Sequence, residues 1–396
     1  MPARLLSLDA LRGFDMFWIV GAEGLVMALE QMGHNGVVKF LAQQLTHKDW
    51  AGFAFYDLIF PLFVFMMGVS TVFSLSKTLQ REGRSAAVGR AVRRFALLFL
   101  LGIFYYGGFA NEWPKIRLLG VLQRIALAYL FAGLLFCFFD WKAMAGIAAG
   151  LLLGYWALLT FIPIRDIQLD GEALQKLSGQ AGTTNTAALF YGTTRYVTGG
   201  YEPGKNLANH LDFQYLPGRK HDVYYDPEGL LSTLPAVATA LLGVFCGMLL
   251  QSGRVSDQQK VVRLLVAGVL SVVMGFLWGL QFPVVKKLWS SSFVLVAGGY
   301  SMLLLAVFYQ LVDVWKYQTW CQPFVWIGMN PITIYMAENV LSMDRMAERF
   351  AGGSLKRYLN THLARGTGDL LVAIISLGIT FLICRFLYKR KLFLRV

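Results

Sequence analysis

Apolar runs of about 20 residues, each long enough to cross a bilayer as a helix, recur along this chain and leave few folds open to it. The runs are continuous rather than alternating. In lipid only helices and closed barrels satisfy their own backbone, so the runs read as helices. Of the 396 residues, 56% are hydrophobic and 15% charged, where a soluble domain has about half and a quarter. The expected fold is all-α: a polytopic membrane helix bundle of about ten transmembrane spans, one domain over residues 1–396.

The spans are expected near 11–29, 56–75, 95–110, 118–139, 143–162, 229–250, 264–280, 290–312, 324–341 and 369–386. Short basic segments fall on alternate sides of successive spans, which is the positive-inside pattern. The net charge of +13 therefore points to topology and not to nucleic acid. Lys77, Arg81, Arg84, Arg90, Arg93 and Arg94 form the densest cluster, which sets that side, and with it both termini, as cytoplasmic. A large extracytoplasmic loop is expected at 163–228 and a smaller one at 342–368. Lys286 and Lys287 stand outside against the charge rule, and an anionic ligand is one candidate reason. The four cysteines have no metal spacing, so neither a metal nor a disulfide framework is expected. Residues 1–10 carry Arg4 and Asp9 without a cleavage pattern, so the first span reads as retained.

Several polar residues lie inside the runs: Asp15, Glu23, Asp57, Gln123, Arg124, Asn330 and Glu338. An ionisable group at membrane depth costs at least ~2.5–3.5 kcal/mol, so each is a functional or a helix-packing candidate. Asp9 and Arg12, spaced i, i+3, read as a structural ion pair. Gly146, Gly150 and Gly154 make a small-residue face for a homodimer or for packing within the subunit. His34 and His47 fall in the first outer loop. His47 precedes Asp57 by ten positions, in a polar stretch that runs into an apolar helix. One reading is a capped loop. The other is a carboxylate holding an imidazole that acts as base or nucleophile. HExxH, GxSxG and P-loop motifs do not occur.

Seven stretches occur in order: Ser7-Leu8-Asp9-Ala10-Leu11-Arg12-Gly13, His47-x-x-Trp50-x-Gly52, Asp57-Leu58-Ile59-Phe60-Pro61, Ile116-Arg117-x-x-Gly120-Val121-Leu122-Gln123-Arg124, Asp226-Pro227-Glu228-Gly229, Leu288-Trp289-x-Ser291-Ser292 and Gly328-Met329-Asn330. Together, over residues 4 to about 345, the chain resembles the heparan-α-glucosaminide N-acetyltransferase family of transmembrane acyltransferases and its bacterial relatives.

The resemblance implies an integral protein of a bacterial inner membrane, with membrane lipid around it. It would move an acetyl group from cytoplasmic acetyl-CoA, the co-substrate, to an amino sugar or oligosaccharide outside. It implies His47 and Asp57 as catalytic residues and Arg124, Gln123, Arg93 and Arg94 as the acetyl-CoA site. Trp50, Asp226, Glu228, Lys286, Asn330 and Glu338 are then acceptor-side candidates. Lys286 stands where the family has asparagine, and Glu338 where the lysosomal form has histidine. The polar residues at mid-membrane and the Asn330-Pro331 break also suit a sugar or oligosaccharide transporter.

Overall fold

The computed structural model describes residues 5–32, 36–181 and 183–393, without the side chains of Ala22, Glu23, Gln180 and Ala181. His34 and the Glu23 side chain thus lie outside the described residues. The chain runs through α1 (Leu6–Met32), α2 (Gly36–Leu45), α3 (Phe55–Tyr105), α4 (Val121–Phe138) and α5 (Trp141–Phe161). Three short helices follow: α6 (Gly171–Ala181), α7 (Thr186–Gly192) and α8 (Leu207–Tyr215). The bundle resumes with α9 (Thr233–Gln251), α10 (Asp257–Gly279) and α11 (Ser291–Phe308), which continues as a π-helical turn over Tyr309–Val314. It closes with α12 (Gln322–Gly328), α13 (Pro331–Leu341), α14 (Met343–Ala351), α15 (Gly353–His362) and α16 (Thr367–Lys389).

Among the described residues, seven helices are long and apolar enough to cross a membrane: α3, α4, α5, α9, α10, α11 with its extension, and α16. The fold is the expected all-α membrane bundle. α1 is one continuous helix whose apolar run is interrupted by Asp9, Arg12 and Asp15, and α12–α13 is broken where Pro331 opens α13 and lacks the N–H that a continuous helix needs.

α3 accounts for two expected spans. A straight helix of its 51 residues would be about 75 Å long. It bends instead at Gly83 (φ 86, ψ −179), a left-handed backbone that glycine takes without a Cβ clash. The arms then return side by side. Tyr56 and Tyr105 line one chamber, whereas Ser74 and Arg90 line another. The basic segment read as a connecting loop is therefore helical almost throughout. Its Lys, Gln, Arg, Glu and Ala residues are good helix formers, which accounts for the difference.

The core forms where α3 packs on α4 and α9. Leu62, Phe65, Val69 and Val72 meet Ala126, Tyr129, Ala240, Leu241 and Val244 there, all fully buried. Among the described residues nothing packs on the small-residue face of α5, since a Cβ at Gly146, Gly150 or Gly154 would meet no atom within 4 Å. Between α5 and α9, the residues expected as a loop fold around their own small core of Ile167, Leu169, Phe190 and Tyr225. A two-stranded antiparallel ribbon joins Ile164–Arg165 to Tyr196–Val197.

Candidate active site

The loop that carries His47 is pinned by backbone pairing. Gly52, at φ 121, donates its N–H to the Val284 carbonyl at 2.9 Å, and Ala51 bridges Val285. Trp50 Nε1 donates to the Tyr201 carbonyl at 2.7 Å. These contacts hold the loop against the segment that carries Lys286. Asp57 sits three residues into α3 and is fully buried. Its Oδ2 accepts the N–H of Ala54 at 3.0 Å and of Lys48 at 3.3 Å, and its Oδ1 accepts His47 Nδ1–H at 2.9 Å. The same carboxylate thus caps the helix and holds the imidazole. With Nδ1 donating, Nε2 keeps the lone pair. The ring stacks on Tyr56 at 4.4 Å and stays half exposed to the chamber.

That chamber, of about 440 Å³, is lined by His47, Tyr56, Tyr105, Tyr106 and Tyr335 and by the cations Lys48, Arg117, Arg124, Lys286 and Lys287. Arg117 forks onto Asp226 at 2.9 and 2.7 Å, reaches Glu228 at 2.7 Å and lies over the Tyr106 ring. Burial alone would lower the Arg117 pKa, but its bonds to Asp226 outweigh that and raise it. Burial raises Glu228. Arg124 is buried beneath Trp289 and bonds Ser232 through Nη2, while its Nε and Nη1 have no hydrogen-bond partner. Buried donors without partners are costly, so this guanidinium is set up for an acceptor brought by a ligand.

A second chamber of about 790 Å³ lies at the opposite end of the same helices. Arg12, Arg90, Arg93 and Arg94 line it, with Ser70, Ser74 and Tyr129. Arg94 stacks over Tyr129 at 4.6 Å and its Nε is buried without a partner. Arg12 pairs with Asp9 at 3.4 Å and also donates to Ser70 Oγ and the Gly328 carbonyl. A narrow apolar cavity, the neck, lies between the chambers. It shares Phe63, Leu122, Ile125, Pro331 and Ile332 with the larger one and Ile19, Phe60, Val121 and Tyr335 with the smaller.

The structure thus brings His47, Asp57, Arg124, Asp226, Glu228 and Lys286 to one end, and Arg93 and Arg94 to the other. Asp57 and Asp226 line neither chamber themselves and reach the smaller one through His47 and Arg117. Four further candidates also line neither. Trp50 packs among Tyr155, Phe282 and Leu288. Gln123 packs tightly against Gly102. Asn330 Nδ2 donates to the Leu392 carbonyl at 3.1 Å. Glu338 lies further along α13, its Oε2 without a hydrogen-bond partner.

Comparison with known proteins bears on this arrangement. A family model described as "Heparan-alpha-glucosaminide N-acetyltransferase, catalytic" matches residues 4–169. The mouse protein named heparan-alpha-glucosaminide N-acetyltransferase is 28% identical over 99% of this chain, and the human protein of that name 27% identical over 100%. The chain is similar to heparan-α-glucosaminide N-acetyltransferases along its length. It spans 61% of the length of the mouse relative and 60% of the human one. The family match holds His47, Asp57, Arg93, Arg94 and Arg124 and ends before Asp226, Glu228 and Lys286.

Two parts of the smaller chamber escape a reading of the sequence. Arg117 stands in a quoted motif, yet its acidic partners lie 109 and 111 positions away. Tyr56, the adjacent Tyr105 and Tyr106, and Tyr335 come from three places in the chain, and no local spacing joins the three. The position of Lys286 is equally a product of the fold. Its Nζ lies 3.0 Å from both His47 ring nitrogens and 3.9 Å from Asp57 Oδ1.

Burial pushes the Lys286 ammonium down to about 8, against the pull of Asp57 and Glu228 and with the help of Lys287. A lysine lowered on folding costs stability fully below the folded value, and the cost fades as pH rises toward the unfolded 10.5. Lys286→Met is therefore expected to raise stability at pH 7 by on the order of 2 kcal/mol. The gain should shrink between pH 8 and 10.5, which thermal unfolding in detergent at pH 7 and pH 10 would check.

Proposed function

We propose that the chain is a membrane-embedded acetyltransferase that takes an acetyl group from cytoplasmic acetyl-CoA and gives it to the amine of a glucosamine-type sugar on the opposite side. The observation that carries this reading is the pair of chambers set end to end with an apolar neck between them, the Asp57–His47 pair at one and the arginine cluster at the other. The relatives' names supply the reaction type.

The donor fits the inner chamber by chemistry. Its phosphates are anions, and Arg12, Arg90, Arg93 and Arg94 offer guanidinium forks that suit them. The neck is apolar, as a thioester arm requires. In the outer chamber the sugar amine must lose a proton as it attacks the thioester carbon. Nε2 of His47 takes that proton while Asp57 holds the Nδ1–H and steadies the charge that forms on the ring. The same nitrogen can first accept the acetyl group and pass it on. Arg124, with two unpartnered N–H-bearing nitrogens, is the donor best placed to meet the oxyanion of the tetrahedral intermediate. Arg117 keeps Asp226 and Glu228 in place, so the acceptor meets a chamber wall of fixed shape.

The test uses the purified chain in lipid nanodiscs with acetyl-CoA and glucosamine. Release of CoA thiol together with N-acetylated sugar is the expected result. Glucosamine uptake into proteoliposomes in the absence of acetyl-CoA, with no CoA thiol released when it is present, would contradict it.

A further inference from the structure

The amine nearest to the imidazole is the protein's own. Lys286 Nζ stands 3.0 Å from both His47 ring nitrogens, so a small movement of its flexible side chain brings it in line with Nε2. Its backbone has little freedom. Val285 is paired to Ala51, Trp289 N–H donates to the Lys286 carbonyl at 2.9 Å, and Ser290 Oγ accepts the Val285 N–H at 3.0 Å. The side chain is 20% exposed and so is largely walled in beside the ring.

We propose that Lys286 is an internal acetyl acceptor: with donor bound and no sugar in the chamber, it receives the acetyl group on Nζ. The proposal rests on the acetyl-transfer reading above. The free amine attacks the thioester carbonyl carbon, so an N–C bond forms and the C–S bond breaks. The electron pair leaves on sulfur. Nε2 of His47 takes the proton lost by Nζ and returns it to the thiolate, which gives CoA thiol and Nε-acetyl-lysine. No other reactant is needed. A free-amine fraction is available near neutral pH because burial has lowered the ammonium to about 8. Lys287, one residue on, points instead to Asp222 at 3.0 Å and is the internal comparison. Acetylation would remove the cation beside His47 and Asp57 and fill the acceptor's place, so the modified chain would turn over sugar more slowly.

The experiment incubates the full chain in nanodiscs with isotopically labelled acetyl-CoA and no sugar, then maps label by peptide mass spectrometry. A parallel sample contains glucosamine and is assayed for CoA thiol. Label is expected on Lys286 at least about tenfold faster than on Lys287, because a held amine reacts as a tethered one. It is also expected to fall at least about tenfold in His47→Ala, which removes the base. An unmodified Lys286 in a preparation that releases CoA with glucosamine overturns the proposal and leaves the acetyltransferase reading standing. Equal labelling of Lys286 and Lys287, or labelling unchanged by His47→Ala, overturns it too. No CoA release with glucosamine overturns the reading on which it rests.

Discussion

His47→Ala is expected to lower acetyl transfer roughly a thousandfold, as loss of a general base or a nucleophilic imidazole does. The fold should survive. The ring is 48% exposed, and without it Asp57 still accepts the N–H groups of Lys48 and Ala54 and keeps Lys286 within 3.9 Å. Unfolding temperature should therefore stay close to wild type while CoA release with glucosamine disappears. Added imidazole is expected to restore part of the rate, because the void left beside Asp57 keeps the carboxylate that would orient it. Asp57→Asn is less clean. It loses the anion behind the ring and also half of a helix cap, so a stability loss of about 1 kcal/mol should accompany the loss of rate. A His47→Ala variant that turns over at the wild-type rate would remove His47 from the mechanism.

Arg117→Ala should have the largest effect on stability. The guanidinium is 5% exposed, Asp226 fully buried and Glu228 12% exposed. Removing Arg117 strips both carboxylates of their hydrogen-bonded cation, a loss of about 3–5 kcal/mol, with Arg124 left as the nearby charge. Asp226 keeps the N–H of His221 and of Glu228, which tempers the cost at that residue. Arg117→Lys keeps the charge but not the fork, and an intermediate loss is expected. The check is thermal unfolding in one detergent at fixed pH. Adding Asp226→Asn and Glu228→Gln to Arg117→Ala should recover part of the loss, since both buried charges then go. If Arg117→Ala unfolds at the wild-type temperature, the cluster does not hold the chamber wall.

How much of this was legible in the residues differs from one feature to the next. The apolar runs were enough for an all-α membrane bundle, because backbone satisfaction in lipid leaves little choice. The bend of α3 was less so. The basic segment after the second run carried two signals, charge and helix propensity, and the structure follows propensity while Gly83 alone makes the turn. His47 and Asp57 were visible as a pair because a cap residue and its loop are neighbours in sequence. Lys286 and Arg117 were not, since Lys286 lies 239 positions from His47 and Arg117 lies 109 from Asp226. Trp50 and Asn330 belong to quoted motifs, yet their side-chain nitrogens donate to the carbonyls of Tyr201 and Leu392. A motif residue can hold the site's frame without touching its contents.

The central claim is that the reactive end of the donor passes the apolar neck and meets His47. A structure of the chain with CoA bound tests it most directly. The adenosine phosphates are expected among Arg90, Arg93 and Arg94, and the sulfur beyond the neck, within about 4 Å of His47 Nε2. A CoA molecule whose sulfur stays in the arginine-lined chamber, with the neck empty and His47 out of its reach, would contradict it.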